Sequence, residues 1–451
     1  MNGIRDLADI VEGLTAGTIA PPVQGKLRLH VADTLAALVA ATATDEGRAL
    51  LTFRRDLRSA AAGDNLFDDL MTACALTRLS EVDDIHLASM TTAGSIVVPA
   101  ALTMAAGLPD IAGEDIAPAI LAGYEAMIRL GLAIKGPEVL YRGIWPTYFS
   151  AALGTAAVAA RLMRLGRDET AHALAQAFTL GAPSVGRHHA VTTTRWLSVG
   201  VAARNGLTAA LAARAGFTSD VDVLQSGVLK DVYGIDADFS YFAADGAPKF
   251  LDVSFKPWCA ARQTMAATQA LREMVAGGLI PGDIERIEAF VLPPHLKMIG
   301  HGIQPGDRAS RLTSLPYQMA MAVLSPDSTL GLSLPTPDGV AGFMELISVS
   351  ADKALLANYP VHWPARIVVH AKSGRQERLV NDVPGDPATP LTEAEIERKF
   401  VKLTEPVLGH EGARRLLADG LNLLSSPEAL STARQWIGKL LAGDPTSPDR
   451  G

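Results

Sequence analysis

From its start to about residue 265 the chain places small apolar residues at helical spacing, and this constrains its fold more than any other feature. Leu27, Val31, Leu35 and Leu38 recur in this way, as do Ala151, Leu153, Ala156, Ala159, Ala160 and Leu162, and later Ala203, Leu207, Ala210 and Leu211. Alanine and glycine dominate these faces, so neighbouring helices can approach closely. Aromatic residues are only 5% of the chain, which suits a bundle packed with Ala and Leu. Gly216, after Ala-Ala-Arg-Ala, marks a helix stop.

The pattern changes near 280. Pro281-Gly-Asp signals a turn, and the run from Ile284 to Leu292 then alternates like a half-buried strand. A helix is predicted over Leu315–Leu324. The run from Pro364 through Lys372-Ser-Gly to Val380 reads as a β-hairpin. Thr392 with Glu395 fits a capping box that opens helices reaching about Leu441. The predicted fold class is mainly α. A large all-helical domain (1–269, completed by 393–441) carries a smaller α+β insert at 270–392, placed before the C-terminal helices. Residues 442–451 read as a disordered tail, and no internal repeat is evident.

The chain has 451 residues, 48% of them hydrophobic, and a formal net charge of −8. That is ample for a large core. The mild acidity and the lack of a basic stripe argue against nucleic acid as a partner. Cys74 and Cys259 are too few for a disulfide framework or a Cys-rich metal site, and a reducing cytoplasm fits them. The N-terminus carries acids early and has no long apolar run, so no signal peptide is expected. The apolar stretches at 94–107 and 150–163 are too short or too small-residued to span a membrane.

Five segments could carry chemistry. In Ser254-Phe-Lys-Pro-Trp-Cys-Ala-Ala-Arg262, Lys256 precedes a proline that disfavours helix. Lys256 and Arg262 therefore flank a helix entrance, and two cations there suit a small carboxylate. The second segment, Glu81-Val-Asp83-Asp84-Ile-His86, gathers an acid/base group. Thr91, Thr92, Gly94 and Ser95 follow it and could donate to an anion. The third runs from Gly186 to Gly200 and combines His188, His189, three threonines and Arg195, which could hold a carboxylate. The last two features are a polar–aromatic loop, Tyr141 to Tyr148, and Tyr317 near the predicted 315–324 helix. Each of these, alone, also reads as an ordinary surface loop, helix cap or core aromatic. No second cluster has metal-ligand spacing, so no metal is expected.

The order of these pieces resembles the MmgE/PrpD superfamily over roughly residues 5–440. The resemblance rests on Asp-Asp-x-His before Gly-Ser-x-Val-Val-Pro-Ala-Ala, Gly-Tyr-Glu, Arg-Gly-x-x-Pro, Thr-Thr-Thr-Arg before Ala-Ala-Arg-Asn-Gly, Phe-Lys-Pro-Trp-Cys and Leu-Pro-Tyr-Gln-Met-Ala. That superfamily includes 2-methylcitrate dehydratase, cis-aconitate decarboxylase and iminodisuccinate epimerase. The resemblance implies a helical main domain, an α+β lid over residues 270–392, an active site in the cleft between them, a homodimer, and chemistry without an organic or metal cofactor. Lys256 matches the family's active-site lysine, Tyr317 its lid tyrosine, and Asp83 and Asp84 its acidic pair.

This chain departs from the family pattern in several places. Thr92-Ala93 stands where His-Pro is usual, Trp145 replaces a histidine, Arg195 replaces a lysine, and Met265 stands where many members carry another histidine. These departures count against 2-methylcitrate dehydration or cis-aconitate decarboxylation as the reaction. The expected activity is a lyase acting next to a carboxylate of a small di- or tricarboxylic acid. Arg195 and Lys256 would bind carboxylates, with Thr92, Ser95, Trp145, His189 and Arg262 lining the site. His188, His86 or the Asp83/Asp84 pair would act as base and Tyr317 as acid. An epimerase on the same scaffold and a non-catalytic carboxylate-binding relative are the alternatives.

Overall fold

The structure is a computed structural model, described here for residues 3–60, 65–181, 192–244 and 246–443. His188, His189 and the tail from 444 lie outside the described residues. The protein is mainly α with a smaller α+β part, and it divides into two compact units. The first takes the described residues up to 181 with 192–253 and 392–443; the second takes 254–391.

The first unit is a helical bundle. Its centre is the pair Ile116–Ala133 and Pro146–Leu162, flanked by Thr194–Arg214, Leu66–Leu79 and Gly94–Gly107. Ala122, Ala126, Leu130 and Ala133 meet Ala152, Leu153, Ala156, Ala157 and Ala160, all of them buried. Small side chains on both partners let these backbones close up to interior packing density. One stretch, Gly113–Ala133, is long and apolar enough to cross a membrane by composition, but 89% of it is buried against the rest of the protein. Its apolarity serves packing. The C-terminal helices run Glu393–Asn422 and Pro427–Ala442, the first broken at Gly409 (φ 69°) three residues after Pro406. Thr392 opens it as predicted: its Oγ1 accepts from the Glu395 N–H (3.3 Å), and Glu395 Oε2 accepts from the Thr392 N–H (2.8 Å).

The second unit is built on a four-stranded sheet, in the order Ile347–Ala351, Ile284–Val291, Ala365–Ala371, Gly374–Val380. The first pair is parallel and the others antiparallel, with Ile287 opposite Ile347 and Val369. The alternation expected from Ile284 holds from Ile287 onward, after a register shift between Ile284 and Arg286. Ile287, Ala289 and Val291 face inward, and the Arg262–Ala276 helix packs on the sheet. The edge strand Gly374–Val380 is exposed and charged (Arg375, Glu377, Arg378), which protects it from pairing with another chain. The Leu315–Leu324 helix is present as predicted.

Candidate functional site

In the helical unit the acidic motif sits on buried backbone, and Asp84 is its hub. One of its oxygens accepts from Tyr124 Oη (2.5 Å) and from His30 Nδ1 (3.0 Å), and the other from the Gly94 N–H (2.9 Å). Gly94 is the first residue of its helix, so Asp84 places a negative charge at the positive end of the dipole. Burial would raise the Asp84 pKa, but the bonds from His30, Tyr124 and Gly94 outweigh it and hold the carboxyl below its usual value. A side chain at 94 would not fit, because a Cβ there would lie 2.5 Å from both the Asp84 and Tyr124 oxygens.

This network corrects one sequence expectation. The helix start that was expected to receive a ligand anion already holds one, and that anion is Asp84. The other donors are similarly engaged. The Thr92 N–H goes to Thr147 Oγ1 (3.0 Å), Ser95 Oγ to the Thr92 carbonyl (2.9 Å), and the Thr91 and Ser89 hydroxyls share a bond (2.6 Å). Asp84 is thereby an anchor with a firmly held charge, poorly suited to taking a proton.

His86 is also placed differently from a base. Its Nδ1 accepts from the Ser89 N–H (3.1 Å), so in the neutral ring the hydrogen is on Nε2. Burial, helped by Lys26 and Lys249, lowers its pKa to about 3. At neutral pH this imidazole is an uncharged hydrogen-bond donor. Lys26 lies close by: its Nζ donates to the Leu251 and Val253 carbonyls (2.6 and 2.7 Å), and burial lowers its pKa to about 8 against the pull of Asp252 and Asp84.

Sequence reasoning missed His30 and Lys26. A signal for His30 was present, because His30 and Asp33 interrupt the apolar run of the Pro21–Ala41 helix where every residue from 30 to 41 is buried. Asp33 is held by Lys399 (2.7 Å), which also donates to the Val82 carbonyl (3.2 Å). The acidic loop is thus gripped from two helices far apart in sequence.

Beside that loop lies a second cluster. Arg78 bridges Glu81 (3.0 Å) and Asp83 (3.3 Å), and Arg195 reaches Glu81 at 3.5 Å while lying over the Trp196 ring. Arg195 opens the Thr194–Arg214 helix. Trp145 stands at the start of the Pro146–Leu162 helix, 92% buried, with its ring edge-on to Tyr148 at 5.5 Å.

In the α+β unit, Lys256 is 2% exposed. The Arg262–Ala276 helix begins six residues after it, with Arg262 as its first residue. Pro257 disfavours helix here, and backbone bonds pin the segment, which bends through residues 257–260. The Phe255 N–H goes to Gly385 (3.0 Å), the Cys259 N–H to Thr329 (3.1 Å) and the Ala261 N–H to Leu312 (2.9 Å). Gly385 (φ 102°) abuts the Phe255 carbonyl so closely that only glycine can make that bond.

Arg262 is itself held by a carboxylate. It pairs with Asp386, both side chains 1% exposed, and lies against Trp363. Its charge is engaged within the unit, where the loop carrying Gly385 and Asp386 holds both ends of the lysine segment. Tyr317 is buried and donates to the Pro335 carbonyl (2.6 Å). Burial pushes its pKa well up, against Arg311, so it is a proton donor in form. His295 packs on Trp363 and Tyr359, and burial beside Arg262 lowers its pKa to about 3. Among the described residues no three His, Cys, Asp or Glu side chains gather as a metal-ligand set.

Comparison with known proteins bears on both units. The chain is 30% identical over 168 residues to cis-aconitate decarboxylase of Aspergillus terreus, covering 36% of this chain and 33% of that protein. It is 33% identical over 147 residues to a cis-aconitate decarboxylase-like protein of Aspergillus oryzae, covering 30% of each. It is 30% identical over 214 residues to human cis-aconitate decarboxylase, covering 42% of each. The matched stretches therefore span less than half the length of each of these relatives. Residues 5–239 match the MmgE/PrpD N-terminal domain and residues 258–423 the MmgE/PrpD C-terminal domain, so the chain belongs to the MmgE/PrpD family.

Proposed function

We propose that the protein is a lyase acting next to a carboxylate of a small di- or tricarboxylic acid: as a dehydratase it removes the proton beside the carboxylate and expels a hydroxyl as water, or as a decarboxylase it releases CO2 and protonates the carbanion left behind. The observation that carries this reading is the burial of charged and proton-carrying groups at the motif positions of a family whose matched relatives are cis-aconitate decarboxylases. A lysine at 2% exposure on a segment tied by backbone bonds places an ammonium group in a low-dielectric setting. Such a charge is suited to a carboxylate that gains negative character as a proton leaves. In this reading Lys256 stabilises that charge, Tyr317 is the acid, and Arg195 binds a carboxylate.

His86 enters as a donor in place of a base, because its Nδ1 lone pair is taken. Asp84 holds the loop in place. Trp145, where relatives usually carry histidine, adds bulk and removes a proton carrier, which favours a less polar acid than cis-aconitate.

Purified protein incubated with citrate, 2-methylcitrate, cis-aconitate, malate and tartrate-type hydroxy acids tests the reading. The expected result is a new alkene or released CO2 from at least one of them. No product from any acid, with thermal stabilisation by one, would make the protein a carboxylate binder instead.

A further inference from the structure

The cluster beside the acidic loop contains donors that the protein itself does not satisfy. The Tyr148 hydroxyl is buried, on a residue 0% exposed, with no hydrogen-bond partner. The Nε groups of Arg78 and Arg195 share that condition. Leaving a buried donor unmet is costly, so each such group in a folded protein calls for a reason. The three belong together: Arg78 and Arg195 pair with Glu81, Arg78 also with Asp83, and all four charges act on the Tyr148 hydroxyl. The set holds two positive and two negative charges, so its formal charge is balanced. Three of its donors stay without an acceptor. An oxygen-rich ligand such as a carboxylate supplies acceptors without a further protein group.

We infer that Tyr148 is a substrate-contacting residue whose hydroxyl, together with the Arg78 and Arg195 guanidinium edges, receives a carboxylate oxygen of the substrate. The inference rests on the lyase reading and extends it. It adds a residue outside the recognised motif positions and gives the helical unit a carboxylate subsite. Burial keeps the tyrosine protonated and therefore a donor, outweighing the opposite pull of Arg78 and Arg195. The neighbouring residues fix its position. Thr147 is tied to Thr92 through the Thr92 N–H and the two hydroxyls (3.2 Å), and the tyrosine ring packs on Trp145.

Tyr148→Phe tests this, because it keeps the ring and removes only the oxygen. A hydroxyl without a protein partner contributes nothing to folding, so the variant should melt at the same temperature as the wild type or higher. On an acid that the wild type turns over, kcat/KM should fall roughly 10- to 100-fold, mainly through KM. Thermal stabilisation by succinate, a non-reacting dicarboxylate, should be strong in the wild type and weak in the variant. This second arm needs no turnover, so it separates failure of the subsite from failure of the lyase reading. Equal stabilisation of both proteins by succinate, or kcat/KM within about twofold of wild type, would overturn the inference. So would a lower melting temperature of the variant, which would show the hydroxyl to be a structural bond.

Discussion

Replacing Lys256 with methionine should lower turnover by about 100- to 1000-fold while leaving the protein folded. Methionine keeps most of the volume of the buried stem and removes the ammonium with its donors. The segment around it is held by backbone bonds from Phe255, Cys259 and Ala261, none of which involves the lysine side chain. The loss should fall on kcat more than on KM, because the developing negative charge is greatest in the transition state. Lys256→Arg should restore part of the activity by restoring charge. Tyr317→Phe should be less severe, since its hydroxyl already has a carbonyl partner in Pro335. Steady-state kinetics on the same acid decide the matter. Unchanged kcat in both Lys256→Met and Tyr317→Phe would remove the proposed roles.

Acid should unfold the protein from an unusually high pH. His30, His86 and His295 are all buried, and burial lowers their pKa values to about 4, 3 and 3. An unfolded histidine titrates near 6.5, so below that pH the unfolded chain binds protons that the folded protein refuses. The stability these groups contribute is fully present above about pH 6.5 and is lost as pH falls toward their folded values. Each costs about 1.4 kcal/mol per pH unit in that window, or roughly 4 kcal/mol for the three. Asp33 and Glu125, whose carboxyls burial pushes up, act in the opposite sense and offset part of this. Lys26, lowered to about 8, gives a second window in which stability rises with pH from 8 toward 10.5. Urea titrations at several pH values should show a steep fall in midpoint from pH 6.5 to 5. A flat profile there would mean that these imidazoles can reach water.

Much of the fold was legible because its signals are local. Helical spacing in Ala/Leu runs, the alternation from Ile287 and the Thr392–Glu395 capping box each depend on residues a few positions apart. The details of the site depend on long-range partners, which spacing does not encode. Asp84 read as a base because it sits beside Asp83 and His86. Its role as an anchor follows from His30 and Tyr124, 54 and 40 positions away. Arg262 read as a ligand cation, and the carboxylate that it pairs with, Asp386, lies 124 residues on. Tyr148 passed as an ordinary core aromatic, and only the folded structure shows its hydroxyl to be unpartnered. Trp145 and Arg195 were singled out as departures from the family pattern, and both stand in or beside the cluster around Tyr148.

Proton NMR of the acids incubated with protein in D2O tests the central claim most directly. The account predicts deuterium entering beside a carboxylate, or an alkene forming with loss of that proton, in the wild type and not in Lys256→Met. Deuterium entry with inversion and no elimination would keep the proton chemistry but make the protein an epimerase. Recovery of every acid with its C–H protons intact would contradict the account.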